Sequence, residues 1–410
     1  FTGEIESLRG QLERVCCLIR VGGPCTGWQD FEDWTARASR ADLQVQVNED
    51  DDAVQMYTSG TTGQPRGALL THRAVTANIE QFGRVAQFQP ADRFLLIMPM
   101  FHAAGFMVML HTISSGASLV IQKSFVPKLA VDAMDQEGIT VTMLAPTMIQ
   151  KCLTDVSDIS RRKFQSLKLI IYGASPIKPE TLREAIKCFR CDFAQRYGTT
   201  ETLSLTWLDP ADHRLALEER PEMLRSAGRP LPGVQIRVVD ADGQSLPIGE
   251  TGEFIASGPQ LMRGYWKSDD ETSLQIGGTR WLRTGDSGFI GRDGCIYICD
   301  RVKDVIVSGG ENIYPREIEE VLLEHPDVCQ AAVIGVPDIQ WGETVKAIVI
   351  LRDGARVSDQ QLVEYCRGRL AGFKLPHSVD FVSAIPRNSS GKVQKHLLRE
   401  PYWQDQTRRI

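Results

Sequence analysis

Tyr57-Thr-Ser-Gly-Thr-Thr-Gly-Gln-Pro-Arg-Gly67 packs three glycines and four aliphatic hydroxyls, Thr58, Ser59, Thr61 and Thr62, into eleven residues directly after an apolar segment. Glycine lets a backbone turn its N–H groups toward one point, and the hydroxyls add donors, so such a loop suits a polyphosphate. It is not a Walker A loop, because no Gly-Lys-Ser/Thr follows the glycines. The dinucleotide fingerprint is excluded as well, since Gly-x-Gly occurs nowhere in the chain.

Outward from the loop, short apolar runs at 94–98, 118–122, 140–144 and 167–172 alternate with helical patterns at 131–137 and 179–187. This alternation predicts a largely parallel α/β sheet between residue 53 and about residue 209, with the loop joining a strand to a helical pattern. From 228 to 299 glycine and proline recur every few residues and the strands shorten, as at 234–239 and 252–256, which reads as a β-rich subdomain. After Asp300 the pattern gives a helix at 315–324, a strand pair near 328–336 and 345–351, a helix near 358–370 and a basic tail: a small α+β domain. The fold class expected is therefore α/β, with a large domain over 1–299 and a small one over 304–410. Residues 49–52, Glu-Asp-Asp-Asp, read as a solvated turn.

The chain has 410 residues and a net charge of −6, which implies no general attraction to nucleic acid or an anionic membrane. No apolar run approaches the roughly 20 residues that a spanning helix needs, so a cytoplasmic protein is the default expectation. Among ten cysteines only Cys188 and Cys191 have CxxC spacing, and no second pair completes a zinc site; reduced thiols are expected. The chain opens at Phe1 rather than Met.

Four further segments occur in a fixed order: Gln195-Arg-Tyr-Gly-Thr-Thr-Glu201, Arg283-Thr-Gly-Asp286, Asp300-Arg-Val-Lys-Asp-Val-Ile-Val-Ser-Gly-Gly-Glu-Asn-Ile-Tyr-Pro315 and Pro386-Arg-Asn-Ser-Ser-Gly-Lys392. With the loop they resemble the adenylate-forming superfamily of acyl-CoA synthetases, peptide-synthetase adenylation domains and beetle luciferase. The resemblance covers roughly residues 50 to 395, and it implies that about a hundred residues of the large domain are missing ahead of Phe1.

The resemblance implies roles position by position. ATP or AMP would be held by Thr58, Ser59, Gly60, Thr61, Thr62, Gly63 and Arg66 of the loop, by Gly173 and Ala174, and by Tyr197, Gly198 and Thr199, with Tyr197 stacking on adenine. Thr200 would bind phosphate and Glu201 would hold Mg²⁺, a hard cation that sits on one carboxylate plus substrate phosphates. Asp286 would accept the ribose hydroxyls, assisted by Arg301, since an ionised Asp is acceptor-only. Lys392 would be the catalytic lysine, bridging the substrate carboxylate and the α-phosphate. Residues 300–303 would be a hinge centred on Lys303. The loop departs from the family at Arg66, where Lys is usual; a guanidinium fork is not an ammonium point charge.

Pro99-Met-Phe-His-Ala-Ala-Gly-Phe106 resembles the lining of the acyl pocket. His102 stands where amino-acid-activating relatives carry an ammonium-pairing Asp, so α-amino acids are disfavoured. His102 is instead expected to gate the pocket. The small residues Ala103, Ala104, Gly105, Gly173 and Ala174 leave room for an apolar fatty or aryl acid. Ser308, Gly309, Gly310, Trp341 and Phe373 match positions that contact coenzyme A, with Lys374 next to Phe373. The expected function is an acid:CoA ligase that uses ATP, Mg²⁺ and CoA and releases AMP and pyrophosphate. Alternatives are a ligase loading a carrier-protein phosphopantetheine, a luciferase-like oxygenase and a catalytically impaired nucleotide-binding homologue. A homodimer is compatible with the resemblance.

Overall fold

The computed structural model describes residues 1–59, 65–175, 177–268, 281–387 and 392–403. Phe1–Asn48 form one compact unit and Glu49–Ile410 a second. The first holds helix α1 (Thr2–Leu8), parallel strands β1 (Ile19–Arg20) and β2 (Gln29–Asp30), and helix α2 (Phe31–Ala36), whose N-cap Asp30 accepts from the amides of Glu32 and Asp33. None of its helical residues is buried.

The second unit begins with a hairpin, β3 (Asp52–Ser59) and β4 (Pro65–Thr71), followed by α3 (His72–Ala86). The glycine-hydroxyl loop thus joins two antiparallel strands rather than a strand and a helix, which corrects the expectation. The helix begins one strand later, where Thr71 supplies the N-cap by accepting from Ala74 N–H. The acidic turn is tied down as well: Arg73 pairs with Glu49 at 2.6 Å and Asp50 at 2.8 Å, and Arg263 with Asp52 at 2.6 Å.

Next come β5 (Arg93–Leu96), α4 (Ala103–Ser114), β6 (Ser118–Ile121), α5 (Pro127–Gln136), β7 (Val141–Leu144), α6 (Pro146–Asp155), β8 (Leu169–Gly173), α7 (Pro179–Phe189), β9 (Asp192–Tyr197), β10 (Thr206–Leu208), α8 (Pro210–Glu218) and β11 (Arg229–Pro230). They build a sheet in the order β11-β10-β9-β8-β7-β5-β6, parallel from β9 to β6 and antiparallel at β10 and β11. Helices start where proline can occupy the first turn: Pro127, Pro146, Pro179 and Pro210 all do so. One sheet face buries Leu95, Ile170, Tyr172 and Phe193 against α5 to α7, and the other buries Phe94, Leu96, Met143 and Ala194 against α3 and α4.

The β-rich region is a four-stranded antiparallel sheet of β12 (Gln235–Val239), β13 (Gly252–Ser257), β15 (Leu282–Ile290) and β16 (Ile296–Arg301). Between them β14 (Gly264–Tyr265) leaves to pair with β4, placing Tyr265 opposite Ala68. The last region pairs β17 (Ile306–Ser308), β18 (Glu311–Ile313), β19 (Val328–Asp338), β20 (Gly342–Leu351) and β21 (Ser378–Phe381), covered by α9 (Pro315–Glu324) and α10 (Asp359–Cys366) and followed by α11 (Lys395–Arg399). Its core of Ile306, Ile318, Leu322, Val333, Val345 and Leu362 is separate from those of the main sheet. Helix α10 is shorter than the sequence pattern suggests. Its Ser358–Gln361 capping box fixes the start, and Arg367 is already extended.

Candidate active site

Asp286 is the meeting point of two neighbouring strands of the four-stranded sheet and of β9 from the seven-stranded sheet. Strand β15 brings Asp286 opposite Arg301 of β16, so the register itself sets the ion pair of Arg301 Nε to Asp286 Oδ1 at 2.8 Å. Tyr197, last residue of β9, donates its phenol to Asp286 Oδ2 at 2.7 Å. Asp286 is also oriented from behind, where Thr284 Oγ1 accepts its amide at 3.1 Å and donates to the Phe254 carbonyl at 2.9 Å. Burial and the Asp286 carboxylate raise the Tyr197 pKa well above its usual value, so the phenol stays a donor. A carboxylate that already accepts from two donors still has lone pairs for a ligand hydroxyl.

Lys392, from the C-terminal region, lies within electrostatic reach of this cluster. Its side chain is exposed, yet loss of hydration among its neighbours, followed by the Arg301 guanidinium, lowers its pKa to about 8 against the opposing pull of Asp286. Lys303 occupies a one-turn 3₁₀ helix, Val302–Asp304. Its pKa is also lowered, by burial first, with Arg301, Arg399 and Arg66 adding to the fall against Asp304. Thus Arg301, Lys303 and Lys392 concentrate positive charge near Asp286, with Arg66 acting on Lys303, an arrangement suited to polyphosphate.

A second cluster was not legible in the motifs. Tyr265 of β14 donates to Glu201 Oε1 at 3.0 Å, while the Arg66 guanidinium lies 4.4 Å from the Tyr265 ring centroid. A cation over a tyrosine face is favourable, and the planar guanidinium stacks where a lysine would not. Glu201 is held in place by Met262 N–H on its carbonyl at 2.8 Å. Tyr265 belongs to no quoted motif; only the β4–β14 pairing reveals it.

The remaining expected residues are placed as follows. Thr58 lies beside Arg66 across the hairpin, its Oγ1 3.5 Å from the Arg66 carbonyl. Gly60, Thr61, Thr62 and Gly63 fall outside the described residues, as does the side chain of Ser59. Gly173 ends β8, and a Cβ there would come within 2.3 Å of the Arg196 carbonyl. Ala174 has φ of +67°, an uncommon conformation for a non-glycine residue and one that concentrates at functional sites. A Cβ on Gly198 would meet the Leu203 carbonyl; Thr199 N–H donates to Thr202 Oγ1 at 2.9 Å, and Thr200 is half-buried between them.

His102 caps α4, its Nδ1 accepting Ala104 N–H at 3.2 Å. Burial and the Arg196 charge lower its pKa, which leaves the imidazole neutral with its proton on Nε2. Ser308, Gly309 and Gly310 form the β17–β18 turn. Gly309 has φ of +59°, and a Cβ there would approach Trp341 Cε3 to 2.7 Å. Trp341 and Phe373 are 45% and 47% exposed. The Cys188–Cys191 pair has no N-terminal helix position, and burial raises both thiols above their usual range.

The profile of the AMP-binding enzyme family matches residues 3–266, and that of the AMP-binding enzyme C-terminal domain matches residues 317–392. The chain is 36% identical over 388 residues to the fatty acid–[acyl-carrier-protein] ligase ScoC of Streptomyces coeruleorubidus, covering 93% of this chain and 74% of that protein. It is 37% identical over 361 residues to a feruloyl-CoA synthase of Amycolatopsis, covering 87% of this chain and 71% of the other. The ATP-bound structure of MatB from Rhodopseudomonas palustris superposes with a TM-score of 0.84 at 34% identity, over 90% of this chain and 72% of that one. The five motifs, the Asp286 cluster and these matches agree, and the chain belongs to the AMP-binding enzyme family.

Proposed function

We propose that the protein is an acid:CoA ligase, activating a carboxylic acid as its acyl-adenylate and passing the acyl group to the CoA thiol. The observation that carries this reading is the convergence on Asp286 of Tyr197 from the main sheet, Arg301 from the neighbouring strand and Lys392 from the C-terminal region. In this reading Asp286 accepts the ribose hydroxyls with Arg301 beside it, Tyr197 stacks on adenine, and the loop 58–63 with Arg66 cradles the β- and γ-phosphates. Gly173, Ala174, Gly198 and Thr199 form the close backbone wall of the nucleotide, and the Thr200 hydroxyl binds phosphate.

Glu201 suits a Mg²⁺ ion carried in on ATP. It is a single half-buried carboxylate, and the described residues include no cluster of three ligating side chains that would hold a resident metal. The ion would neutralise phosphate charge. Lys392 places its ammonium between the acid's carboxylate and the α-phosphate, where charge accumulates as pyrophosphate leaves. His102, neutral, closes the acyl pocket. The boundary between the two working domains falls at 300–303, with Lys303 as the hinge. Rotation there would present Ser308, Gly309, Gly310, Trp341 and Phe373 to the adenylate for thioester formation.

The test is product analysis. Incubated with ATP, Mg²⁺ and a panel of fatty and aryl acids, the protein should yield AMP and pyrophosphate in equal amounts, and α-amino acids should be inert. Formation of ADP and phosphate would refute adenylation. A phosphopantetheine arm on a carrier protein is the second reading of the acceptor. One observation favours it: the Lys374 ammonium, beside Phe373, is engaged by both Glu317 oxygens at 2.7–2.8 Å instead of facing a CoA phosphate. Comparing CoA with pantetheine as acceptor separates the two.

The Lys392 pKa gives a pH expectation. With the free-enzyme value near 8, the ammonium is present below that pH and lost above it. Adenylation kcat/KM should therefore fall as pH rises through about 8. ATP brings negative charge that stabilises the ammonium, so kcat should fall at a higher pH. Lys392→Arg, charged throughout, should remove the alkaline limb. A limb that persists in that variant assigns the titration to another group.

A further inference from the structure

Arg196 is the penultimate residue of β9, at the carboxyl end of the parallel strands, where open α/β sheets place their ligands. The same edge carries Gly173 and Ala174 after β8 and, beyond the end of β5, His102. Arg196 is 7% exposed. Its guanidinium carbon lies 5.8 Å from the Phe82 ring centroid, and Nη1 lies 3.8 Å from the Met143 sulfur. Neither contact neutralises a charge. Among the described residues no carboxylate lies within ion-pair distance of it.

The chain treats its other sheltered arginines differently. Arg162, with a side chain 12% exposed, holds Asp132, Asp135 and Asp158, and Arg399, 11% exposed, holds Asp304. An uncompensated cation in the interior is destabilising, and is retained where a ligand supplies the counter-charge.

The surroundings set the size of that counter-charge. The Arg196 charge acts on His102 at the start of α4 and on His111 nine residues along it, lowering both pKa values after burial; His111 falls to about 3. Both rings are therefore neutral at working pH, and the site carries one positive charge. His111, 3% exposed, stacks on the same Phe82 ring at 4.6 Å, and its Nε2 meets no hydrogen-bond partner among the described residues. Around these polar groups the wall is apolar: Met98, Ala104, Val108 and Met143.

The geometry points to a second carboxylate in the acid, so that the substrate is an apolar-bodied dicarboxylic acid whose distal carboxylate pairs with Arg196 while the other is adenylated. The guanidinium fork matches a carboxylate bidentately. This deepens the ligase reading and rests on it.

Matched acids decide the matter: butyrate against succinate, hexanoate against adipate, benzoate against terephthalate, each assayed by pyrophosphate release with wild type, Arg196→Met and Arg196→Lys. Wild type should favour at least one diacid over its partner by tenfold or more in kcat/KM. Arg196→Met should lose about 10²-fold on that diacid, mainly through KM, and gain on the monoacid; Arg196→Lys should recover part of the loss. Removing an uncompensated buried charge should leave the Arg196→Met melting temperature unchanged or raised. If that variant fails to fold, the Arg196→Lys ratio alone is read. Wild-type preference for monoacids, unmoved by either substitution, overturns the diacid assignment and leaves adenylation standing. Absence of pyrophosphate with every acid overturns the ligase reading and this inference together.

Discussion

Lys392→Ala should lower the rate of pyrophosphate release by about 10²-fold or more, the usual consequence of removing a donor aimed at transition-state charge. It should leave thioester formation from a supplied acyl-adenylate close to wild type. The asymmetry follows from position. Lys392 lies where Arg301 and Asp286 both act on its ammonium, so it reaches the nucleotide site in the conformation described here. Once the adenylate exists, the phosphate charge that it stabilises has already formed. Single-turnover assays of the two half-reactions read the difference directly. Equal loss in both would mean that Lys392 supports the fold of the site instead of one chemical step.

Lys303→Pro should do the reverse, sparing adenylation and reducing thioester formation by a comparable factor. The Val302–Asp304 turn is 3₁₀, with φ values that proline tolerates, so the substitution holds the conformation seen here. That conformation is latched on both sides of the turn. Arg316 donates its N–H to Asp300 at 2.9 Å and its guanidinium Nη1 to the Ile298 carbonyl at 3.0 Å, and Arg399 pairs with Asp304 while donating to the Lys303 carbonyl at 3.5 Å. Meanwhile Trp341 and Phe373, proposed to hold CoA, stand exposed. Bringing them to the adenylate demands a large backbone change at a few positions, which fixed φ opposes. Lys303→Ala keeps the torsional freedom and should retain both half-reactions. A Lys303→Pro enzyme that makes thioester at the wild-type rate removes the hinge from position 303.

The α/β class, the alternation of strands and helices between residues 53 and 209, the short strands after 228 and the helix and strand pair after 300 were all legible in the chain's letters. Each is a local property, since hydrophobic period, proline at a helix start and glycine at a turn all act within a few residues. Asp286, Arg301, Tyr197 and Glu201 were singled out by the resemblance of their segments to a known family. What those residues meet depends on how distant strands pair. The folded chain showed that the glycine-hydroxyl loop closes a hairpin, because pairing of β3 with β4 depends on register and not on the loop's composition. It brought Tyr265 to Glu201 and Arg66 through a two-residue strand that crosses from one sheet to another. And it left Arg196 as a cation among apolar side chains. In the sequence Arg196 is one letter before a conspicuous tyrosine; its missing partner is a fact about strands and helices far apart in the chain, and no local pattern encodes which charges go unpaired when they close together.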